Sequence, residues 1–427
     1  MQACDTLISA SWCIPVEPSS RALANYTVVI EGGRIIDLLP TIQAKQQYRA
    51  SVTIERPGHV LLPGLVNTHT RAALSLFRGL GASFDSNAWL SKEMVRDGTE
   101  LAIAEMMRGG ITCFGDSFYF PDVVAETALA AHMRASVGMA VADTASPWAD
   151  TPAEYLAKGA DLVHDRFAGH PTISTHFALL DAARIADDTL RQTRVMADQL
   201  NAPVHASLHR SMADIQASMD IAGKRPFARL RDAGLINASM LATHGVYLDN
   251  DELGFLAREG VAVAICPRAD AGLAEAPGTM ARLFEAGLTA AIGTDSVLRC
   301  HTLDLLADMQ TAFRDVPNDA DEASRTAAAA LRSVTIDAAS ALQIADQTGS
   351  IEKGKQADLC CIDLDTLNSQ PTHAPLVQLV YTVQRSQVRD TWVAGRQVLN
   401  DGQFTQFDEQ ELLQRCKEWQ RKLLTNQ

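Results

Sequence analysis

Three histidines and two aspartates follow short apolar runs: His69 after LLPGLVNT, Asp116 after ITCFG, His209 after PVHASL, His244 after MLAT and Asp295 after AAIGT. Singly, a His or Asp at the end of a strand is a capping or hydrogen-bonding residue. Together they have the chemistry of a metal centre, because imidazole and carboxylate are the ligands of zinc-dependent hydrolases. Such a centre needs five distant segments to deliver their carboxyl ends to one place.

The pattern between these residues predicts how that is done. Helical stretches stop at glycine and an apolar run follows: GTELAIAEMMR ends at Gly109-Gly110 before ITCFGD, DELGFLARE at Gly260 before VAVAICP, and MARLFEA at Gly287 before LTAAIGTD. Glycine supplies the left-handed stop, and the apolar run enters a buried parallel sheet. Strands are expected near 61–68, 111–116, 135–142, 172–178, 203–209, 240–246, 261–266 and 289–295. Eight such strands with intervening helices make an α/β fold of the TIM (β/α)8 type, whose reactive groups sit at the carboxyl ends of the strands. An open doubly wound sheet is the competitor, but no G-x-G-x-x-G follows any strand. At the termini, YTVVIEGGRIIDLL turns at Gly32-Gly33 and DTWVAGRQVL turns at Ala394-Gly395, each between β-branched runs. The expected organisation is one small β domain begun by 1–60 and finished by 349–427, with the barrel at 61–348 between them. A stripe of Leu412, Cys416, Trp419 and Leu423 at helical spacing is expected to dock the tail on its own domain.

Composition narrows the function. The 427 residues carry 37 Lys+Arg against 51 Asp+Glu, a formal net charge of −14. That balance argues against a nucleic-acid surface, which needs clustered cations to displace counterions. No apolar run reaches the roughly 18 residues of a membrane span, and no Lys or Arg precedes Arg21 to make a secretory signal. The eight cysteines form no C-x-x-C pair, so the chain is expected to be reduced and cytoplasmic. Cys360-Cys361 is read as core, and Lys353-Gly354-Lys355 as a turn without the spacing of a phosphate loop.

Longer motifs carry a resemblance. PGLVNTHT, SLFRGL, VRDGTELAIAEMMRGGITCFGD, FPDVVAE, GKRPFARL, GTDS, GKQADL and TWVAGRQVL resemble the amidohydrolase superfamily. Within it the similarity is to bacterial 5′-methylthioadenosine/S-adenosylhomocysteine deaminases, near the triazine hydrolases. It spans nearly the whole chain and implies a metal-containing barrel flanked by a β-sandwich from both termini. It also implies a homo-oligomer, a dimer.

The same matching shows where the chain departs from that family. The family's first strand ends in H-x-H, which here reads His69-Thr70-Arg71; Arg71 replaces a metal ligand. At the fifth strand Ser207 stands at a histidine ligand and Arg210 at the proton-shuttling glutamate, while His205 and His209 survive beside them. His69, His244 and Asp295 match retained metal positions. Leu180 occupies the histidine of the family's P-H-A-P-Y segment, Asp270 falls in the altered H-C-P-x-S-N segment, and the pocket-forming stretch after Trp89 is short. A guanidinium cannot move a proton near neutral pH. Two cations ~4 Å apart repel by about 4 kcal/mol at an effective dielectric near 20, so a divalent metal would compete with Arg71 and Arg210 for one carboxylate. Arg71 is therefore expected to occupy the metal position and pair with Asp295.

Three readings follow. The first is a deaminase relative that has lost metal-dependent activity, a pseudoenzyme binding a small molecule or a partner such as an intact paralogue. No cofactor is expected, and zinc only if the site still takes a metal. The second is a hydrolase of C–N bonds with a reduced or metal-free site, for which His209, His244 and Asp295 are the catalytic candidates. The third is a purely structural subunit. Arg71, Trp89, Asp116, Ser207, Arg210 and Asp270 are the pocket candidates in each. The first is favoured because the changes fall together on ligands, proton shuttle and substrate loops, while turns and core positions stay intact.

Overall fold

In the computed structural model, residues 1–271, 279–315 and 317–425 are described. Four strands open the chain: β1 (Gln2–Cys13), β2 (Leu23–Glu31), β3 (Arg34–Pro40) and β4 (Tyr48–Pro63). The next eight are β5 (Leu65–Thr70), β6 (Ile111–Asp116), β7 (Arg134–Val141), β8 (Ile173–Leu179), β9 (Val204–Leu208), β10 (Met240–His244), β11 (Ala262–Ile265) and β12 (Ala290–Ile292). Four more close it: β13 (Leu359–Asp363), β14 (Val388–Val393), β15 (Arg396–Asn400) and β16 (Gln403–Phe404).

Strands from both ends of the chain form one sheet in the order β16-β15-β14-β13-β4-β1-β2-β3. The join is the antiparallel pair β4–β13, with Leu61 opposite Cys361 and Val60 opposite Ile362. The expected tight turns are present: Gly32 and Gly33 link β2 to β3, and Ala394 and Gly395 link β14 to β15, all four with positive φ. Type I′ geometry of that kind matches the right-handed twist of the flanking strands. Alternate residues of these strands (Ile8, Val28, Ile30, Leu61, Leu359 and Trp392 among them) pack into one buried cluster. Cys361 belongs to that cluster, and Cys360 is also fully buried. Burial pushes the Cys360 thiol well above its ordinary range, so it is a core side chain.

The second sheet runs β5 to β12 in sequential order. The pairs β7–β8, β8–β9, β9–β10, β10–β11 and β11–β12 are parallel. It is closed from the last strand to the first: the backbone N–H groups of Thr294 and Asp295 donate to the His69 carbonyl at 3.1 and 3.0 Å. Gly293 is required at this seam, because a Cβ there would lie 2.8 Å from the Cβ of His69. This is the TIM barrel that the glycine-stopped helices and apolar runs predict, together with the terminal β-sandwich that the resemblance implies, and each barrel strand ends within a few residues of its expected place. Closure also brings His69 and Asp295, 226 positions apart in the chain, onto adjacent strand ends.

The chain divides into two compact units. One comprises Met1–Asn67, Ala104–Cys113 and Asp304–Glu409; the other comprises Thr68–Ile103, Phe114–Leu303 and Gln410–Gln427. The tail helix Glu409–Thr425 therefore falls largely in the unit that holds the strand ends. Leu412, Trp419 and Leu423 are buried there, and Trp419 Nε1 donates to Asp97 Oδ2 at 2.9 Å. Among the described residues, no helix is long and apolar enough to cross a membrane.

Candidate functional site

His69, His244 and Asp295 meet at the strand ends, and three of the five strand-end residues carry an unusual backbone. His209, His244 and Asp295, just past or at the ends of β9, β10 and β12, all have left-handed φ (48°, 72° and 57°). For non-glycine residues this costs about 1–2 kcal/mol each. Such strain persists where neighbouring hydrogen bonds fix the chain, as the seam does for Asp295.

Asp295 is the centre of the site. It is 1 % exposed, and Arg210 Nη2 donates to its Oδ2 at 2.8 Å. Arg71 Nε lies 3.9 Å from Oδ1, and His69 Nε2 lies 4.0 Å from it. Burial by itself would raise the Asp295 carboxyl, but Arg210, then Arg71 and the two histidines, hold it well below the usual carboxylate range. The closest charge partner is thus Arg210 and not Arg71, which corrects the sequence-based expectation. Arg210 lies two residues past β9 with its side chain 11 % exposed, whereas Arg71 precedes a 3-10 turn, Ala72–Phe77, and is 31 % exposed.

Arg210 reaches a second carboxylate, with Nε 3.8 Å from Asp270 Oδ1. His244 Nδ1 donates to that same oxygen at 2.8 Å, and the Cys266 backbone N–H donates to Asp270 Oδ2 at 3.3 Å. His69 packs edge-on to His244 with ring centroids 5.5 Å apart. Neither ring nitrogen of His69 has a hydrogen-bond partner among the described residues. Burial lowers its pKa to about 3 against the pull of Asp295, with His244, Arg71 and Arg210 adding to the lowering. The imidazole is neutral. Asp116 supports the opposite wall: its Oδ1 accepts from Thr70 Oγ1 (3.0 Å) and from the Ala72 backbone N–H (2.7 Å), which fixes the turn that carries Arg71. Burial raises the Asp116 carboxyl to about 6, outweighing those hydrogen bonds and Arg71.

A cavity of about 330 Å³ opens above this cluster. Arg71, Arg210 and Asp295 line it; so do Ser117, Phe118 and Tyr119 beyond β6. Of the six pocket candidates only Arg71 and Arg210 line the cavity; Asp116 and Asp270 hydrogen-bond beside it, and Trp89, Ser207 and the catalytic candidate His209 are not among its lining. His209 is 1 % exposed and serves a side network: the Phe227 backbone N–H donates to its Nε2 at 3.2 Å, and its Nδ1 lies 3.2 Å from Glu252 Oε2. Arg225 grips that glutamate through Nε at 2.9 Å, and the carboxyl is pulled down to about 2 by His209, the Asp249 backbone N–H and Arg225 although burial opposes them. Trp89 ends the turn Ser86–Trp89, whose Ser86 and Asn87 line the cavity in its stead. Ser207 sits in β9 opposite Thr243 of β10, one step below the strand end. The sequence reading missed Arg299, a cavity-lining guanidinium one helical turn beyond Asp295.

These residues do not fit a metal ion. Among the described residues, no group of three or more His, Cys, Asp or Glu is arranged to hold one. Guanidiniums face both oxygens of Asp295, and a guanidinium is no ligand because it stays protonated and has no free lone pair.

A closed eight-stranded barrel with its polar cluster at the carboxyl ends, in a chain whose termini build a second sheet, defines the class: a TIM-barrel protein with a terminal β domain. Residues 60–398 match the amidohydrolase family, and the chain belongs to that family. Among its relatives, a 5-methylthioadenosine/S-adenosylhomocysteine deaminase of Teredinibacter turnerae is 36% identical over 98% of both chains. Among solved structures, an adenosine deaminase from Xanthomonas campestris, with bound zinc, superposes with a TM-score of 0.94 at 36% identity and covers 99% of both chains. Atrazine chlorohydrolase from Arthrobacter aurescens, complexed with zinc, shares the fold (TM-score 0.85, 20% identity) over 97% of this chain and 99% of its own.

Proposed function

We propose that this member of the amidohydrolase family has exchanged metal-dependent deamination for ligand binding in the barrel mouth. The observation that carries this reading is the 2.8 Å pair between Arg210 and Asp295. A deaminase needs a polarised water and a group that shuttles its proton. Here a permanent cation stands at the matched shuttle position and neutralises the carboxylate that would receive a metal. The mouth still presents a pocket, lined by Arg71, Arg210 and Asp295.

The test is ammonia release from methylthioadenosine, S-adenosylhomocysteine and adenosine, with zinc in excess over protein. The Xanthomonas campestris adenosine deaminase serves as control with adenosine. The expected result for this chain is no release above the protein-free rate with any of the three. Release at an enzyme-like rate overturns the reading. One observation supports a second reading, a metal-independent hydrolase. The buried His244–Asp270 hydrogen bond fixes the ring so that Nε2 is left to act as a base. That reading requires some hydrolytic turnover, lost in His244→Asn.

A further inference from the structure

We propose that the barrel mouth is a binding site for a small organic monoanion, a carboxylate carried on a flat ring, held by Arg71 and Arg299. The inference rests on the binding role proposed above and specifies its ligand class.

Charge comes first. Arg71, Arg210 and Arg299 line the cavity. Arg210 hydrogen-bonds Asp295 and lies 3.8 Å from Asp270, while the charge of the buried Asp116 bears on Arg71, so the three guanidiniums face three carboxylates. Asp181 also lines the cavity, but Arg184 neutralises it from outside at 2.7 Å. What the lining lacks is acceptors: among the described residues, Arg71 and Arg299 face the cavity without a hydrogen bond to a carboxylate. Burial, then Arg210 and Arg71, lower the Arg299 pKa against the pull of Asp295 and Asp270. A ligand carboxylate would supply the acceptor that both guanidiniums lack.

Donor geometry agrees. Arg71 Nε is buried with no hydrogen-bond partner among the described residues, and its nearest carboxylate oxygen is 3.9 Å away, beyond a hydrogen bond. A planar fork of that kind matches a carboxylate in two-point contact. Shape supplies the rest. Phe84, Phe118 and Tyr119 line the same space, and apolar rings beside a few convergent polar groups are how small-molecule sites fix a flat ligand. The volume, about 330 Å³, lies at the small end of such sites, which run from about 300 to 1,000 Å³.

The experiment is calorimetric titration of the full chain at low ionic strength with benzoate, nicotinate and orotate, and with the neutral amides benzamide and nicotinamide. At least one acid is expected to bind one per chain, and its amide at least about tenfold more weakly, because charge-assisted pairing is lost. The acid's affinity is expected to fall with added salt while the amide's does not. Arg71→Gln and Arg299→Gln are each expected to weaken the acid by about tenfold or more; the salt dependence of the unaltered chain decides the matter if either variant misfolds. Equal binding of acid and amide, indifference to salt, or no acid bound at millimolar concentration overturns the proposal. Zinc content and ammonia release, measured on the same preparation, keep the two readings apart. A zinc-free, inactive sample that ignores every acid sinks only the ligand assignment, whereas a zinc-loaded, ammonia-releasing one sinks the proposed function.

Discussion

Arg71→His, Ser207→His and Arg210→Glu, made together, are expected to bring zinc uptake to about one ion per chain. The unaltered chain is expected to stay below about a tenth of that under the same dialysis against zinc. The three positions lie on β9 and just past β5 and β9, where His69, His244 and Asp295 already stand. The change removes two guanidiniums and adds a carboxylate, so the mouth becomes more negative by three charges. Each guanidinium near Asp295 opposes a dication with twice the ~4 kcal/mol estimated for two single charges 4 Å apart at an effective dielectric near 20. Removing both therefore shifts zinc affinity by many powers of ten. Elemental analysis reads the result directly. If the triple variant folds and takes no zinc, the matching of Arg71, Ser207 and Arg210 to ligand and shuttle positions is wrong.

Asp295→Asn is expected to destabilise the fold by about 3 kcal/mol, the lower end of what breaking a buried ion pair costs. The lower end applies because Arg210 keeps Asp270 at 3.8 Å. Asparagine isolates the charge, since it tolerates the left-handed backbone at this position (φ 57°) almost as glycine does. The pH dependence has a definite sign. The Asp295 carboxyl titrates lower in the folded chain than in the unfolded one. Its contribution is therefore complete above the unfolded pKa near 3.9 and is lost as pH falls through the folded value. Urea unfolding of the variant should show a deficit at pH 7 that shrinks on acidification below about pH 4. A deficit that is absent at pH 7, or unchanged in acid, contradicts the pairing.

Much of this was legible in the residues, for identifiable reasons. Helices ending at Gly110, Gly260 and Gly287 before apolar runs report a buried parallel sheet because only that arrangement satisfies both the stop and the run. Once eight such strands close, His69, His244 and Asp295 must share a mouth, and the sequence places them there. What escaped is set by side-chain direction and local backbone. Arg71 and Arg210 are equivalent as text; which of them reaches Asp295 depends on the turn that Asp116 pins through the Ala72 N–H. His209 reads as a site residue, yet Phe227 and Glu252 hold its ring elsewhere, through partners 18 and 43 positions away in the chain. Arg299 joins the site because a short helix, Val297–Cys300, follows Asp295, and four residues give little periodicity to read. Trp89 was placed by its neighbourhood, and its own turn presents Ser86 and Asn87 to the cavity.

The most direct measurement is a crystal structure of the unaltered chain grown with excess zinc, with anomalous scattering recorded on both sides of the zinc edge. The expected result is Arg210 bonded to Asp295, Arg71 beside it, and no zinc peak in the barrel mouth. A zinc peak held by His69, His244 and Asp295, with Arg71 and Arg210 turned away, would contradict the claim that arginine has taken the metal's place.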